Sequence, residues 1–161
     1  MINFPESDNN LCLQLLEASQ PYLKSLSDEM KINYVQPDYF QKIVMPLSVY
    51  LLNLPERKKP YFIGLNGGQG SGKTTLSDFI QVVLSKVSNK SVTGFSIDDI
   101  YKTTEEREEQ SKEIHPLCKV RGVPGTHDIQ MGLEVLDSLS NATKDTLTPI
   151  PAFSKPLDRH K

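Results

Sequence analysis

Gly67, four residues, Gly72, Lys73 and Thr74 stand in the stretch GLNGGQGSGKTTLSDF, residues 64 to 79, and fit the pattern G-x-x-x-x-G-K-[ST]. The chemistry of such a run is phosphate binding. Glycines let the backbone come close enough for successive N–H groups to point at phosphate oxygens, and a following helix N-terminus adds a favourable dipole. Gly67, Gly68, Gln69, Gly70, Ser71, Gly72, Lys73, Thr74 and Thr75 are therefore the candidate nucleotide-binding residues. In this pattern Lys73 reaches the β- and γ-phosphates, and the Thr74 hydroxyl is a candidate Mg²⁺ ligand. ATP is the expected nucleotide, although the loop alone leaves GTP open.

A second set of reactive side chains follows. FSIDDIY, residues 95 to 101, carries Asp98, Asp99 and Tyr101, and RGVPGTHD, residues 121 to 128, carries Arg121, His127 and Asp128. Phosphoryl transfer needs an acceptor held in line and a group that orients it or takes its proton. Asp98 suits that role and is also a candidate metal ligand; capping of the next turn is the alternative for it and for Asp99. An arginine fork binds a carboxylate in bidentate fashion, and a histidine donates to a hydroxyl. Arg121 as a surface loop residue and His127 as a helix-start residue bonded to backbone are the simpler alternatives.

These groups need elements to position them. Tyr61 to Leu65 is a short apolar run between Pro60 and the glycines, as expected of a buried parallel strand. After Lys73, residues Leu76, Phe79, Ile80, Val83, Leu84 and Val87 form one apolar stripe at helical spacing. Ser91 to Ile97 reads as a second strand ending at Asp98. Strand, helix and strand make a βαβ unit with a right-handed crossover, its acidic end placed at the edge where ligands of open α/β sheets collect.

Thr104 is expected to cap a charged helix through Glu109 with a solvated face, and Thr126 to cap one carrying Ile129, Leu133, Leu136 and Leu139. The proline-rich tail from Leu147 suits at most an edge strand. Upstream, helices are expected from about Asn10 to Leu26, interrupted or kinked at Pro21, and after Pro37, bent at Pro46. PERKKP, residues 55 to 60, is a connector.

Composition bounds the rest. The 161 residues suit one compact core, and a net charge of −2 gives no reason to expect a nucleic-acid partner. Cys12 and Cys118 are far apart, with no second ligand nearby, which suggests neither zinc nor a disulfide scaffold. MINFPESDNN lacks a basic and then apolar leader, and no run approaches the ~20 apolar residues that span a bilayer. A cytoplasmic protein without a membrane partner is the expectation.

From about Pro60 to Lys155, the phosphate loop, FSIDDIY and RGVPGTHD in that order resemble the D-glycerate 3-kinase-like family. It lies in the wider group of phosphate-loop kinases that contains uridine kinase, phosphoribulokinase and bacterial pantothenate kinase. The resemblance implies an α/β phosphate-loop NTPase fold, Mg-ATP as phosphoryl donor and D-glycerate as small-molecule acceptor. It implies that Lys73 and Asp98 are catalytic, Asp98 acting as base toward the acceptor hydroxyl. Tyr101 would line the acceptor pocket, and Arg121 and His127 would hold the acceptor. Lys155 sits where relatives have a Lys-Ser pair before a basic segment near the phosphates, but Pro156 replaces the serine.

The family continues with a Gly-Asp-Arg segment and a strand ending in Glu-Gly-Trp, and this chain has no tryptophan. The expectation is thus an incomplete sheet: residues 1–59 as an N-terminal helical extension, and 60–161 as the N-terminal part of a kinase domain, a fragment that binds nucleotide weakly and turns over poorly. A kinase for another hydroxylated acceptor, uridine or pantothenate, and a non-catalytic nucleotide-binding fragment are the alternatives.

Overall fold

The computed structural model describes residues 9–32, 35–143 and 145–160, so MINFPESD lies outside the described residues. They fall into two compact units, one within Met1–Arg57 and Phe62–Thr93, the other within Lys58–Tyr61 and Gly94–Lys161.

The first unit is helical. α1, Asn9–Glu29, buries Cys12, Leu15, Ser19 and Leu23, one stripe at three- and four-residue steps. It runs through Pro21 without the expected interruption. Pro21 and Glu17 are both exposed, so the carbonyl that loses its helical donor can bond water instead. Downstream come α2 (Pro37–Tyr39), a π-helical segment Phe40–Val44 and α3 (Met45–Leu52). The π segment lies just before Pro46, where the wider turn accommodates a ring that would clash with the carbonyl four residues back.

α4, Lys73–Val82, begins in the phosphate loop and continues as a π segment Val83–Val87. Its expected stripe is the core: Phe79 and Val83 are fully buried, and Ile80 and Leu84 nearly so. They pack with Leu15, Leu23, Val44, Met45 and Val49. Phe40 meets the Phe79 ring edge-on at 4.9 Å. Burial of each such side chain stabilises the unit by about 1.5–3 kcal/mol, so the helix that carries Lys73 is anchored by α1 and α3.

The two expected parallel strands do not form. Residues 61–65 and 91–96 have no strand structure, and Ile97 belongs to a 3-10 turn, Ile97–Ile100. The βαβ unit is therefore absent among the described residues. A helix satisfies its backbone internally, but a parallel strand depends on neighbours in register. Phe62, Ile63 and Leu65 stay exposed.

The second unit is built from short elements. α5 spans Thr104–Glu113, a 3-10 turn Pro116–Lys119 follows, and α6 spans Ile129–Ser140. The caps fall beside those expected: Thr103 caps α5, with Glu106 completing a capping box, and Asp128 caps α6 by accepting from Met131 N. Thr126 is instead fully buried, its hydroxyl donating to Val123 O at 2.6 Å. The tail forms no strand at Leu147; β1, Phe153–Ser154, pairs antiparallel with β2, Arg159–His160. Proline at 149, 151 and 156 removes the donors a longer ladder would use. Among the described residues, no helix is long and apolar enough to cross a membrane.

Candidate active site

The phosphate loop lies in the first unit. Gly72, at φ +81°, is the residue before α4, a left-handed position that costs any residue with a Cβ about 1–2 kcal/mol. Gly67 answers a different need. A Cβ there would stand 3.0 Å from Ser71 Oγ and 3.6 Å from Lys73 Cγ, so any larger residue would press the Ser71 side chain aside. Lys73 Nζ donates to Gly67 O and Gly68 O, each at 2.7 Å. The ammonium is thereby folded over the loop. Gly68, Gln69, Gly70, Ser71 and Thr74 are exposed and Thr75 is half-buried. A backbone loop at a helix N-terminus with a lysine laid across it fits a polyphosphate. Thr74 stands in the first turn, where its hydroxyl can serve a nucleotide-bound Mg²⁺. No cluster of three His, Cys, Asp or Glu side chains that could hold a metal occurs among the described residues.

The second unit gathers the other candidates. Ser96 accepts from Asp98 N and caps the 3-10 turn, while Asp99 Oδ2 accepts from Ser96 N at 2.8 Å and Asp99 Oδ1 from Phe153 N at 3.1 Å. Asp99 is thus a structural cap. Asp98 is left to project from the turn, and its carboxylate receives Lys155 Nζ at 2.6 Å. The Lys155 hydrogen bond holds the Asp98 carboxyl below the usual range; burial opposes this, and the Tyr101 hydroxyl and the charges of Lys155 and His127 reinforce it. Burial pushes the Tyr101 phenol up, as does its bond to Asp98.

RGVPGTHD brings His127 to Tyr101. Lys102 N donates to Thr126 O at 3.0 Å and Asp128 N to Ile100 O at 2.6 Å, which makes an isolated antiparallel bridge of Tyr101 and His127. Their rings stack at 4.3 Å. The Arg121 guanidinium lies 5.9 Å from the Tyr101 ring centre and 5.5 Å from that of Phe153. Asp98, Tyr101, Arg121, His127 and Lys155 therefore form one cluster around the Tyr101 ring. Arg121 Nη1 and His127 Nε2 are buried without a hydrogen-bond partner, two polar groups of the kind that a ligand oxygen would satisfy.

Three members were not legible beforehand. Arg107, expected on a solvated face, is 2% exposed and donates to Lys102 O, Lys119 O, Thr104 Oγ1 and Asp158 Oδ2. Phe153 closes over Tyr101 edge-on at 5.6 Å, and His160 Nε2 meets Tyr101 O at 2.9 Å. The available signal was a lone arginine among glutamates, and nothing local separates it from a surface charge. Lys155, expected near phosphates, has its ammonium on Asp98.

The loop lies in one unit and the cluster in the other, and the curated relatives are named as kinases. The chain is 36% identical to D-glycerate 3-kinase, chloroplastic, of Arabidopsis thaliana over 99 residues, 60% of this chain and 22% of that protein. It is 36% identical to the uncharacterized kinase mug58 of Schizosaccharomyces pombe over 60% of this chain and 35% of that one. It is 39% identical to the probable ATP-dependent kinase TDA10 of Saccharomyces cerevisiae over 71% of this chain and 44% of that one. The resemblance to the D-glycerate 3-kinase-like group is borne out. The chain spans less than half the length of these curated relatives. No family model matches, and no solved structure matches.

Proposed function

We propose that this sequence encodes part of an ATP-dependent small-molecule kinase that phosphorylates a hydroxyl of D-glycerate. Residues 60–161 are the N-terminal part of its kinase domain and 1–59 a helical extension. The observation that carries the reading is the gathering of Asp98, Arg121 and His127 around Tyr101, with buried Arg121 Nη1 and His127 Nε2 lacking partners. A carboxylate of the acceptor would satisfy Arg121 and a hydroxyl would satisfy His127. Among relatives, an enzyme named as a D-glycerate 3-kinase supports this acceptor.

Bound Mg-ATP supplies the γ-phosphoryl group, with the residues from Gly67 to Thr75 as its cradle and Thr74 and Asp98 as metal candidates. Asp98, ionised at neutral pH, accepts the hydrogen bond of the acceptor hydroxyl and orients its oxygen. The proton would pass to that carboxylate as the acceptor oxygen bonds the γ-phosphorus and the bond from that phosphorus to the bridging oxygen breaks, with ADP as the leaving group. Such transfer depends mainly on positioning and charge, so a weakly basic carboxylate suffices.

A second acceptor is favoured by one observation. Pantothenate kinase of Coxiella burnetii is 28% identical over 62% of this chain, and pantothenate also joins a carboxylate to hydroxyls. ADP release is therefore measured with D-glycerate, pantothenate and uridine in turn. The expected result is slow release that depends on glycerate and is abolished by Lys73→Ala, the loss of one charge-stabilising donor being worth about 10²–10³-fold, and similarly by Asp98→Asn. Release that is equal for all three acceptors, or indifferent to Lys73, refutes the proposal. Tight Mg-ATP binding without transfer to any acceptor identifies a nucleotide-binding module.

A further inference from the structure

We infer that Asp158 is a positioning residue for Arg121, and that buried Arg107 fixes it in that role. The inference rests on Arg121 as the acceptor-binding cation. Asp158 sits in the turn between β1 and β2, at φ +52°, a left-handed backbone that aspartate tolerates better than most residues. Its Oδ2 receives Arg107 Nη2 at 2.6 Å and the Thr104 hydroxyl at 2.9 Å. Thr104 Oγ1 also lies 3.1 Å from Asp158 O. Its Oδ1 faces Arg121 Nε at 3.2 Å, as an ion pair rather than an aligned hydrogen bond.

Two roles are open to a carboxylate beside a ligand-binding arginine. It can compete with the ligand, or it can hold the arginine for it. A competitor must be free to leave, but Asp158 is tied to a side chain that is itself fixed at three other oxygens: Lys102 O, Lys119 O and Thr104 Oγ1. Asp158 also meets only the Nε edge of Arg121. The Nη1 edge is left without a partner, while the Tyr101 and Phe153 rings lie against the guanidinium. A planar fork met at its Nε edge and along its faces is confined to one orientation, with Nη1 buried and still in need of an acceptor. Burial pushes the Asp158 carboxyl up, but the bonds from Arg107 and Thr104 and the two arginine charges outweigh it, so the counter-charge persists at neutral pH.

The test uses the full chain, with Asp158→Asn as an isosteric change and Thr104→Val as a milder variant that removes one support of Oδ2. ¹⁵N relaxation of the Arg121 Nε–H, assigned by its loss in Arg121→Lys, reads positioning without any ligand. Calorimetry with D-glycerate reads the consequence. Asp158→Asn is expected to lower the order of Arg121 to that of an unrestrained arginine and to weaken glycerate about tenfold; Thr104→Val moves both less. Unchanged Arg121 order, or tighter glycerate binding in Asp158→Asn, overturns the inference. If wild-type protein binds no glycerate while Arg121 order still depends on Asp158, the positioning stands and the acceptor assignment fails. If glycerate binds through Arg121 and Asp158→Asn alters neither readout, the acceptor assignment stands and the positioning fails.

Discussion

The phosphate loop in the first unit is shaped by its own backbone: Lys73 bonds two carbonyls five and six residues away, and Gly72 supplies a left-handed conformation that strains a residue with a Cβ. The cluster around Tyr101 in the second unit is shaped by side chains from distant segments. Asp98 meets Lys155 across 57 positions, Arg107 meets Asp158 across 51, and Phe153 N meets Asp99 across 54. A site made of local backbone survives wherever its helix is anchored. A site made of long-range side-chain contacts depends on each partner separately.

The largest expected effect breaks that contrast on the side-chain side. Arg107→Ala removes the donor to the Lys102 and Lys119 carbonyls and the closest counter-charge of Asp158, which keeps Thr104 and Arg121, a loss of about 3 kcal/mol by the scale for hydrogen bonds to charged groups. Urea unfolding followed by probes in the second unit should show it, with nucleotide binding left in place. Equal stability of Arg107→Ala and wild type would mean that the cluster is not held this way.

A smaller effect sharpens the backbone side. Gly72→Ala forces a Cβ into a left-handed residue and should cost about 1–2 kcal/mol, read as weaker ATP binding together with a lower unfolding midpoint. Gly68→Ala, where an added Cβ meets nothing within 4 Å, is the matched control and should do much less.

The smallest effect concerns Lys155 and Asp98, both partly exposed. Lys155→Met should cost no more than about 1 kcal/mol at neutral pH, as for exposed pairs. The sign of its pH dependence follows from the lowered Asp98 carboxyl. A depressed carboxylate stabilises the fold above its unfolded value of about 3.9, and the contribution is lost as pH falls through the lower folded value. The melting difference between wild type and Lys155→Met should therefore be present at pH 7 and close in acid. A difference that grows in acid would contradict the pairing.

Much of the first unit could be foreseen because helices announce themselves locally. The stripe from Leu76 to Val87 named the core face of α4, and the glycines with Lys73 named the loop. Pro21 misled because a proline on an exposed helix face leaves a carbonyl that water can satisfy. The strands at 61–65 and 91–97 misled for another reason: apolar β-type runs state a preference, while pairing needs neighbours that no local pattern specifies. In the second unit, FSIDDIY and RGVPGTHD named residues that the fold gathers around Tyr101, and capping, open beforehand for both Asp98 and Asp99, falls to Asp99, which accepts from Ser96 N.

The sequence by itself determined the phosphate loop, the helix behind it and the identity of Asp98, Tyr101, Arg121 and His127, since backbone geometry and helical periodicity are short-range properties. Only the tertiary structure decided that Arg107 is buried rather than solvated, that Lys155 lies on Asp98, and that Asp158 stands behind Arg121. The physical reason is that a charge's environment is set by what folds against it, and each of these three charges meets a partner from a segment distant in the chain: Asp158 for Arg107, Asp98 for Lys155 and Arg121 for Asp158.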